Sequence, residues 1–261
     1  MEQFHQYDTT EWGEWFDCYF GSYDDDFTFM MGLARTAKGP VLEAGCGTGR
    51  LLLPMLQEGI DARGFDISKP LLDRLKAKAK AQGIDKPPVK QASMLDFKYK
   101  ERFDRILIAF RTFNHCPNPD AQLQCLRNCY KHLRPGGQLI IATFIPHPDT
   151  IVQADNSLKV TGAVENPETG EPVLISHYVA EIDSLMQVRT DVWIIEELQP
   201  PKGQAPRRMF LPVTLRWVHP SEMSLLLRLA GFEQAEVVGD FDWGPLDSGC
   251  DEQIWIATKK G

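Results

Sequence analysis

Between residues 40 and 144, short apolar runs alternate with segments whose apolar residues recur every three or four positions. PVLEAG (40–45), DARGFDIS (61–68), PVKQAS (88–93), FDRILIAF (103–110) and QLIIATF (138–144) read as strands. The segments 48–59, 69–83 and 119–133 read as helices, with Gly59 and Gly83 as stops and Ser68 as a cap. FDRILIAF is apolar enough to be covered on both faces, as a central parallel strand requires. Strand and helix in regular turn predict an α/β fold with a parallel, doubly wound sheet.

The rhythm changes at Pro146. Segments 158–165, 173–182, 186–197 and 207–218 alternate apolar and polar residues, as in Met209, Leu211, Val213, Leu215 and Trp217. A period of two means antiparallel strands with one covered face. The chain then returns to a helix at 219–232, opened by Pro220 or Ser221 and closed by Gly231, and to strands near 233–239 and 252–258. We therefore expect one α/β domain, residues 1–145 and 219–261, with a small β lobe inserted at 146–218. Residues 12–34 are rich in Trp, Phe and Tyr and turn acidic at Asp24–Asp26. They fit two helices, or a helix and an ordered lid within residues 1–38. Packing of these rings on the core is the plain alternative.

Composition narrows the function classes. With 43% apolar and 25% charged residues the chain is an ordinary globular protein. A net charge of −8 argues against a broad nucleic-acid surface. No apolar run approaches the roughly 20 residues that cross a bilayer, and the N-terminal residues resemble no targeting peptide. Six irregularly spaced cysteines suggest reduced thiols, so we expect a cytoplasmic protein with neither membrane nor nucleic-acid partner. The lobe's alternating faces leave a homodimer edge open.

The candidate chemistry begins at Glu43-Ala44-Gly45-Cys46-Gly47-Thr48-Gly49-Arg50. Alternate glycines after a strand let the backbone turn sharply and approach a ligand closely. The following helix offers free N–H groups and a positive dipole end. A dinucleotide site wants G-x-G-x-x-G for a pyrophosphate. Here the spacing is G-x-G-x-G, and Glu43 would repel a phosphate while suiting an ammonium group. S-adenosylmethionine carries that ammonium and no phosphate, so the electrostatics favour it over a nicotinamide cofactor.

V-L-E-x-G-C-G-T-G-R resembles motif I of the class I S-adenosylmethionine-dependent methyltransferases, especially those acting on small molecules. The resemblance covers most of residues 19–145 and 217–258. It implies a Rossmann-like fold and a cofactor held by Glu43, Gly45, Cys46, Gly47, Gly49 and Arg50. Asp66 and Ile67, at the end of the second strand, would meet the ribose. Ala92-Ser93-Met94-Leu95-Asp96-Phe97 resembles the family's adenine segment A-D-M-x-x-F, with Ser93 replacing its aspartate and Met94 covering the purine. Leu133-Arg134-Pro135-Gly136-Gly137 matches a structural turn of the family.

The segment Phe110-Arg111-Thr112-Phe113-Asn114-His115 would lie beside the methyl group. It lacks the N/D-P-P-Y/F motif of many enzymes that act on nucleobases and resembles x-F-N-S-F-x-H, with Arg111 at the usual asparagine. His115 is the candidate general base because imidazole titrates near neutrality; loop capping is the alternative. Tyr19 and Tyr23 resemble the family's N-terminal lid, which would fold over cofactor and acceptor; Tyr23 is a candidate both for cofactor binding and for catalysis, and plain packing is the alternative. His115, Cys116, Cys125, Cys129 and His132 lack a metal-ligand spacing, so no metal is expected. Arg189, Arg207, Arg208, Arg216 and His177 could select an anionic acceptor or could be solvated. The expectation is methyl transfer to N or O of a small molecule. A catalytically silent S-adenosylmethionine sensor or partner subunit, favoured by Arg111 and Ser93, and an NAD(P)-dependent oxidoreductase are the rivals.

Overall fold

The computed structural model describes residues 10–20, 23–151, 154, 157–166, 169–200 and 203–261. Residues 1–9 of the expected lid, and the side chain of Tyr19, lie outside them.

The N-terminal aromatic stretch forms two helices, α1 (Thr10–Tyr19) and α2 (Phe27–Arg35). The alternation that follows gives β1 (Val41–Ala44), α3 (Leu52–Gln57), β2 (Ala62–Asp66), α4 (Lys69–Ala81), β3 (Val89–Gln91), β4 (Phe103–Ile108), α5 (Pro119–His132) and β5 (Leu133–Phe144). Ser68 caps α4, its hydroxyl accepting from the Leu71 amide at 3.3 Å. After the short helix α6 (Pro148–Ile151) come β6 (Lys159–Glu165), β7 (Pro172–Asp183), β8 (Val188–Glu197) and β9 (Arg208–Arg216). The chain closes with α7 (Pro220–Ala230), β10 (Gln234–Gly239), β11 (Gly244–Pro245) and β12 (Glu252–Thr258).

Eight strands form the main sheet in the order β11-β10-β12-β5-β4-β1-β2-β3. From β3 to β5 every pairing is parallel, and β12 runs antiparallel to β5. This is the Rossmann-like α/β architecture. One face carries α5 and α7 over Leu42, Ile106, Ile108 and Leu139; the other carries α2, α3 and α4 over Val41, Leu107 and Ile140. Chain reversals around β1 put the glycine turn beyond the carboxyl ends of β1, β2 and β4, where ligands of open α/β sheets bind.

Two boundaries differ from expectation. The helix expected at 48–59 begins only at Leu52, because Gly47 (φ +48°) and Gly49 (φ +88°) take left-handed backbone that a helix cannot use. Strand β5 begins at Leu133 rather than 138: Leu133 pairs with Phe103, and the register then shifts while Arg134–Gly137 bulges.

Strands β6–β9 form a separate antiparallel sheet. Its covered face (Val173, Ile195, Met209, Leu211 and Val213) packs on Trp12, Trp15, Cys18 and Phe20 of the α1 segment. Two buried amides hold the stems of this excursion together. Gln253 donates to the carbonyls of Phe144 (3.4 Å) and Val218 (2.9 Å). Asn114 donates to the Arg216 carbonyl (2.8 Å) and accepts from the Thr143 hydroxyl (2.7 Å). Among the described residues no helix is long and apolar enough to cross a membrane.

Candidate active site

A cleft of about 660 Å³ runs from the glycine turn to the inner face of the second sheet. Its floor is the turn itself. Gly45 has φ +76°, and a Cβ there would collide with the Thr112 side chain. Only glycine lets β1 and the loop after β4 approach so closely. Gly45, Cys46, Gly47, Thr48 and Arg50 line the cleft. Gly49 does not: its Cα faces Leu53 and Leu75, so its part is to let the turn pack on α3 and α4.

Glu43, next to the end of β1, is 5% exposed and reaches the cleft. Burial pushes its carboxyl up to about 8, which the Arg50 charge and the Leu52 amide only partly oppose. Its Oε2 has no hydrogen-bond partner. A buried oxygen left unmatched is costly and marks a position where a cationic donor would be welcome. Arg50 does not fill that place. Its guanidinium forks onto the buried Asp26 carboxylate at 2.6 and 2.8 Å and donates to the Tyr23 carbonyl at 2.9 Å.

Asp66 closes β2 and also lines the cleft. Its oxygens accept from the amides of Gly47 (2.8 Å) and Ser68 (2.8 Å). Burial raises its pKa while those amides oppose the rise. It therefore braces the glycine turn as well as facing the ligand space, a second duty the sequence does not announce. Ile67, Ser93 and Met94 continue the lining, whereas Asp96 is exposed and outside it.

The loop after β4 supplies the opposite wall. Phe110 (φ +50°) and Arg111 (φ +61°) are consecutive non-glycine residues in left-handed backbone. Such strain persists only where surroundings fix it. Here Nε of Arg111 donates to Glu252 at 2.7 Å, and Phe110 packs on Tyr23 with ring centroids 4.6 Å apart. Phe20 bridges Phe110 (5.3 Å) to Trp193 of β8 (5.8 Å). His115 ends a 3-10 turn (Thr112–His115) and borders the cleft. Burial drives its pKa down to about 4, against an opposing hydrogen bond to the Thr214 backbone. The expectation of an imidazole titrating near neutrality is thus corrected: His115 is neutral at pH 7 and a weaker base than free histidine.

Of the basic residues weighed for an anionic acceptor, Arg189 and His177 line the cleft, and Arg189 is held bidentate by Asp191 at 2.6 to 3.0 Å. Arg216 is buried against Gln122 (2.6 Å) and Glu222 (2.8 Å), and Arg208 pairs with Glu196 at the surface. Arg207 lies over the Trp15 ring. Cys125, Cys129 and His132 lie on the buried face of α5, and Cys116 is buried just before that helix.

Sequence reasoning missed Asp17. This 9% exposed carboxylate on α1 accepts from Thr48 of the glycine turn (2.5 Å) and from Arg74 (2.6 Å) and Lys78 (3.1 Å) of α4. It latches α1 over the cleft. A lone acidic residue in an aromatic stretch carries no signal of partners so distant in the chain.

Residues 41–137 match the family model described as a methyltransferase domain. The chain is 29% identical over 116 residues to the ubiquinone biosynthesis O-methyltransferase of Pseudomonas entomophila, covering 44% of this chain and 48% of that one. It is 28% identical over 97 residues to the cypemycin N-terminal methyltransferase of a Streptomyces species, covering 37% and 38%. The chain thus spans half or less of the length of these two curated relatives. The solved CcbJ methyltransferase of Streptomyces caelestis superposes over 91% of this chain and 90% of its own, with TM-score 0.73 and 25% identity. Residues 41–137 thus match a methyltransferase domain, and the fold of the whole chain is similar to that of a solved methyltransferase.

Proposed function

We propose that the chain transfers the methyl group of S-adenosylmethionine to a nitrogen or oxygen atom of a small-molecule acceptor. The observation that carries this reading is the continuous cleft, with an unmatched Glu43 oxygen at one end and an aromatic, lobe-covered compartment at the other. Its volume of about 660 Å³ falls within the usual range for small-ligand sites. Glu43 would hold the donor's ammonium, Asp66 and Ile67 its ribose, and Ser93 and Met94 its adenine. The donor fits because it matches the orphaned carboxylate with a cation and asks nothing of a phosphate site.

When bound, S-adenosylmethionine supplies a methyl on a sulfonium, which is already a good leaving group. The chain's own work is then positioning and exclusion of water. Phe20, Tyr23, Phe110 and Trp193 wall off the compartment between the glycine turn and the second sheet. Burial lifts the Tyr23 phenol far above its ordinary range, so it stays protonated and can donate to an acceptor. Neutral His115, tied to Thr214, orients the loop after β4 against β9 and can accept a hydrogen bond from the acceptor.

Calorimetric titration with S-adenosylhomocysteine and with NADH, followed by transfer of labelled methyl to a panel of amines, alcohols and carboxylates, tests the reading. Binding of S-adenosylhomocysteine with turnover of at least one acceptor class is expected. Binding of NADH alone would overturn it, and cofactor binding with no turnover across the panel would favour a sensor.

A further inference from the structure

The distribution of charge inside the cleft bears on the chemical class of the acceptor. Among the described lining residues every arginine is neutralised by a carboxylate. Arg50 is forked onto Asp26, Arg111 pairs with Glu252, and Arg189 is bidentate on Asp191. No lysine is among the described lining residues, and burial lowers the pKa of both bordering histidines, His115 and His177. Asp24 and Asp25, by contrast, are exposed carboxylates on the lining. Glu252 keeps a second buried oxygen with no hydrogen-bond partner behind the Arg111 pair.

Inside that acidic mouth the wall is aromatic. Phe20, Tyr23, Phe110 and Trp193 form a connected set of rings, and His177 lies against Trp193 with ring centroids 4.6 Å apart. Ring faces attract cations and tolerate alkylated ammonium groups well. An anionic acceptor would find no free positive charge here and would be repelled at the mouth.

We infer that the acceptor is an amine on a small, partly apolar molecule, and that the enzyme is an N-methyltransferase. This rests on the methyl-transfer reading above. The acidic mouth draws in the ammonium form, which gives one proton to water there, and the free base then meets the methyl donor between the rings. The amine lone pair forms the new carbon–nitrogen bond while the carbon–sulfur pair of S-adenosylmethionine stays on sulfur. The methylated ammonium then loses its extra proton to water.

Four probes of one shape test the inference by calorimetry on the full chain saturated with S-adenosylhomocysteine: benzyltrimethylammonium, benzylamine, benzyl alcohol and benzoate. The two nitrogen probes should bind at least about tenfold more tightly than benzoate, and Asp24→Asn with Asp25→Asn should narrow that gap. Trp193→Leu should weaken benzyltrimethylammonium about tenfold, and Trp193→Phe should restore most of it, with S-adenosylhomocysteine binding unchanged in both. Benzoate binding as tightly as the amines, or no probe binding to the loaded protein, would overturn the inference. Failure of S-adenosylhomocysteine itself to bind would instead overturn the methyl-transfer reading.

Discussion

Replacing Glu43 with glutamine keeps the shape of the side chain and removes its charge. In the ligand-free protein this carboxyl titrates near 8 instead of 4.5 because it is buried. Below pH 4.5 the folded and unfolded chains both hold the proton, so the residue does not affect stability. Between 4.5 and 8 only the folded chain holds it, and each pH unit costs about 1.4 kcal/mol. The full loss above pH 8 is about 5 kcal/mol at most, and water reaching the cleft reduces it to roughly 2–3 kcal/mol. Glu43→Gln should therefore unfold at higher urea concentration than wild type at pH 8.5, with the difference vanishing near pH 4.5. Ligand binding should change in the opposite sense. A charge-assisted hydrogen bond between carboxylate and ammonium is worth about 1.5–3 kcal/mol, so the variant should bind S-adenosylhomocysteine roughly 10- to 150-fold more weakly at pH 8. Wild-type affinity should rise toward tenfold per pH unit between 6 and 8 as Glu43 gives up its proton. Calorimetry in buffers of different ionisation enthalpy reads that proton directly. Equal affinity of variant and wild type at pH 8, with no proton release, would refute the assignment.

Three further outcomes follow from the same geometry. Gly45→Ala, at φ +76° and against Thr112, should cost about 1–3 kcal/mol, lower Tm by roughly 2–10 °C in a scan, and weaken S-adenosylhomocysteine binding at least about tenfold. Asp17→Asn should destabilise by about 1–3 kcal/mol at pH 7 and speed proteolysis within α1. Burial alone would raise the Asp17 pKa, but Lys78, Thr48 and Arg74 outweigh it and hold it below 3.8, so the wild-type advantage exists above pH 3.8 and fades as pH falls through the lowered value. His115, shifted from 6.5 to about 4, contributes in full above pH 6.5 and loses up to about 3 kcal/mol as pH drops to 4. Urea denaturation of His115→Gln should show a flatter acid limb over that window.

The sheet was legible because β1, β4 and β5 are buried on both faces and their apolar runs leave no other use. The cofactor turn was legible because glycines at Gly45 and Gly47 have few reasons to alternate after a strand. What escaped depends on contacts between distant segments. Phe110 and Arg111 look like ordinary strand-end residues, and their left-handed backbone is held by distant segments, Glu252 on the guanidinium and Tyr23 on the Phe110 ring. The late start of α3 could have been read from Gly47 and Gly49, whose positive φ values break a helix. The basic residues of the lobe illustrate the limit best. Arg189, Arg208 and Arg216 look alike in an alternating strand, yet one borders the cleft, one is at the surface and one is buried. Only the partner carboxylates decide which charges a ligand would feel.

Gln253 and Asn114 give the lobe a particular freedom. Each spans the point where the chain leaves the main sheet and the point where it returns, so the two stems meet whatever lies between them. Closing a loop grows costlier by only about 0.6 kcal/mol per doubling of its length. The intervening strands can thus lengthen, shorten or be rewritten without disturbing the register of β5 or β12. The cleft is thus lined from two sheets, the glycine turn and the loop after β4 on the main one and His177, Arg189, Trp193 and Val213 on the second, and these two amides are where the frames of both walls are tied together.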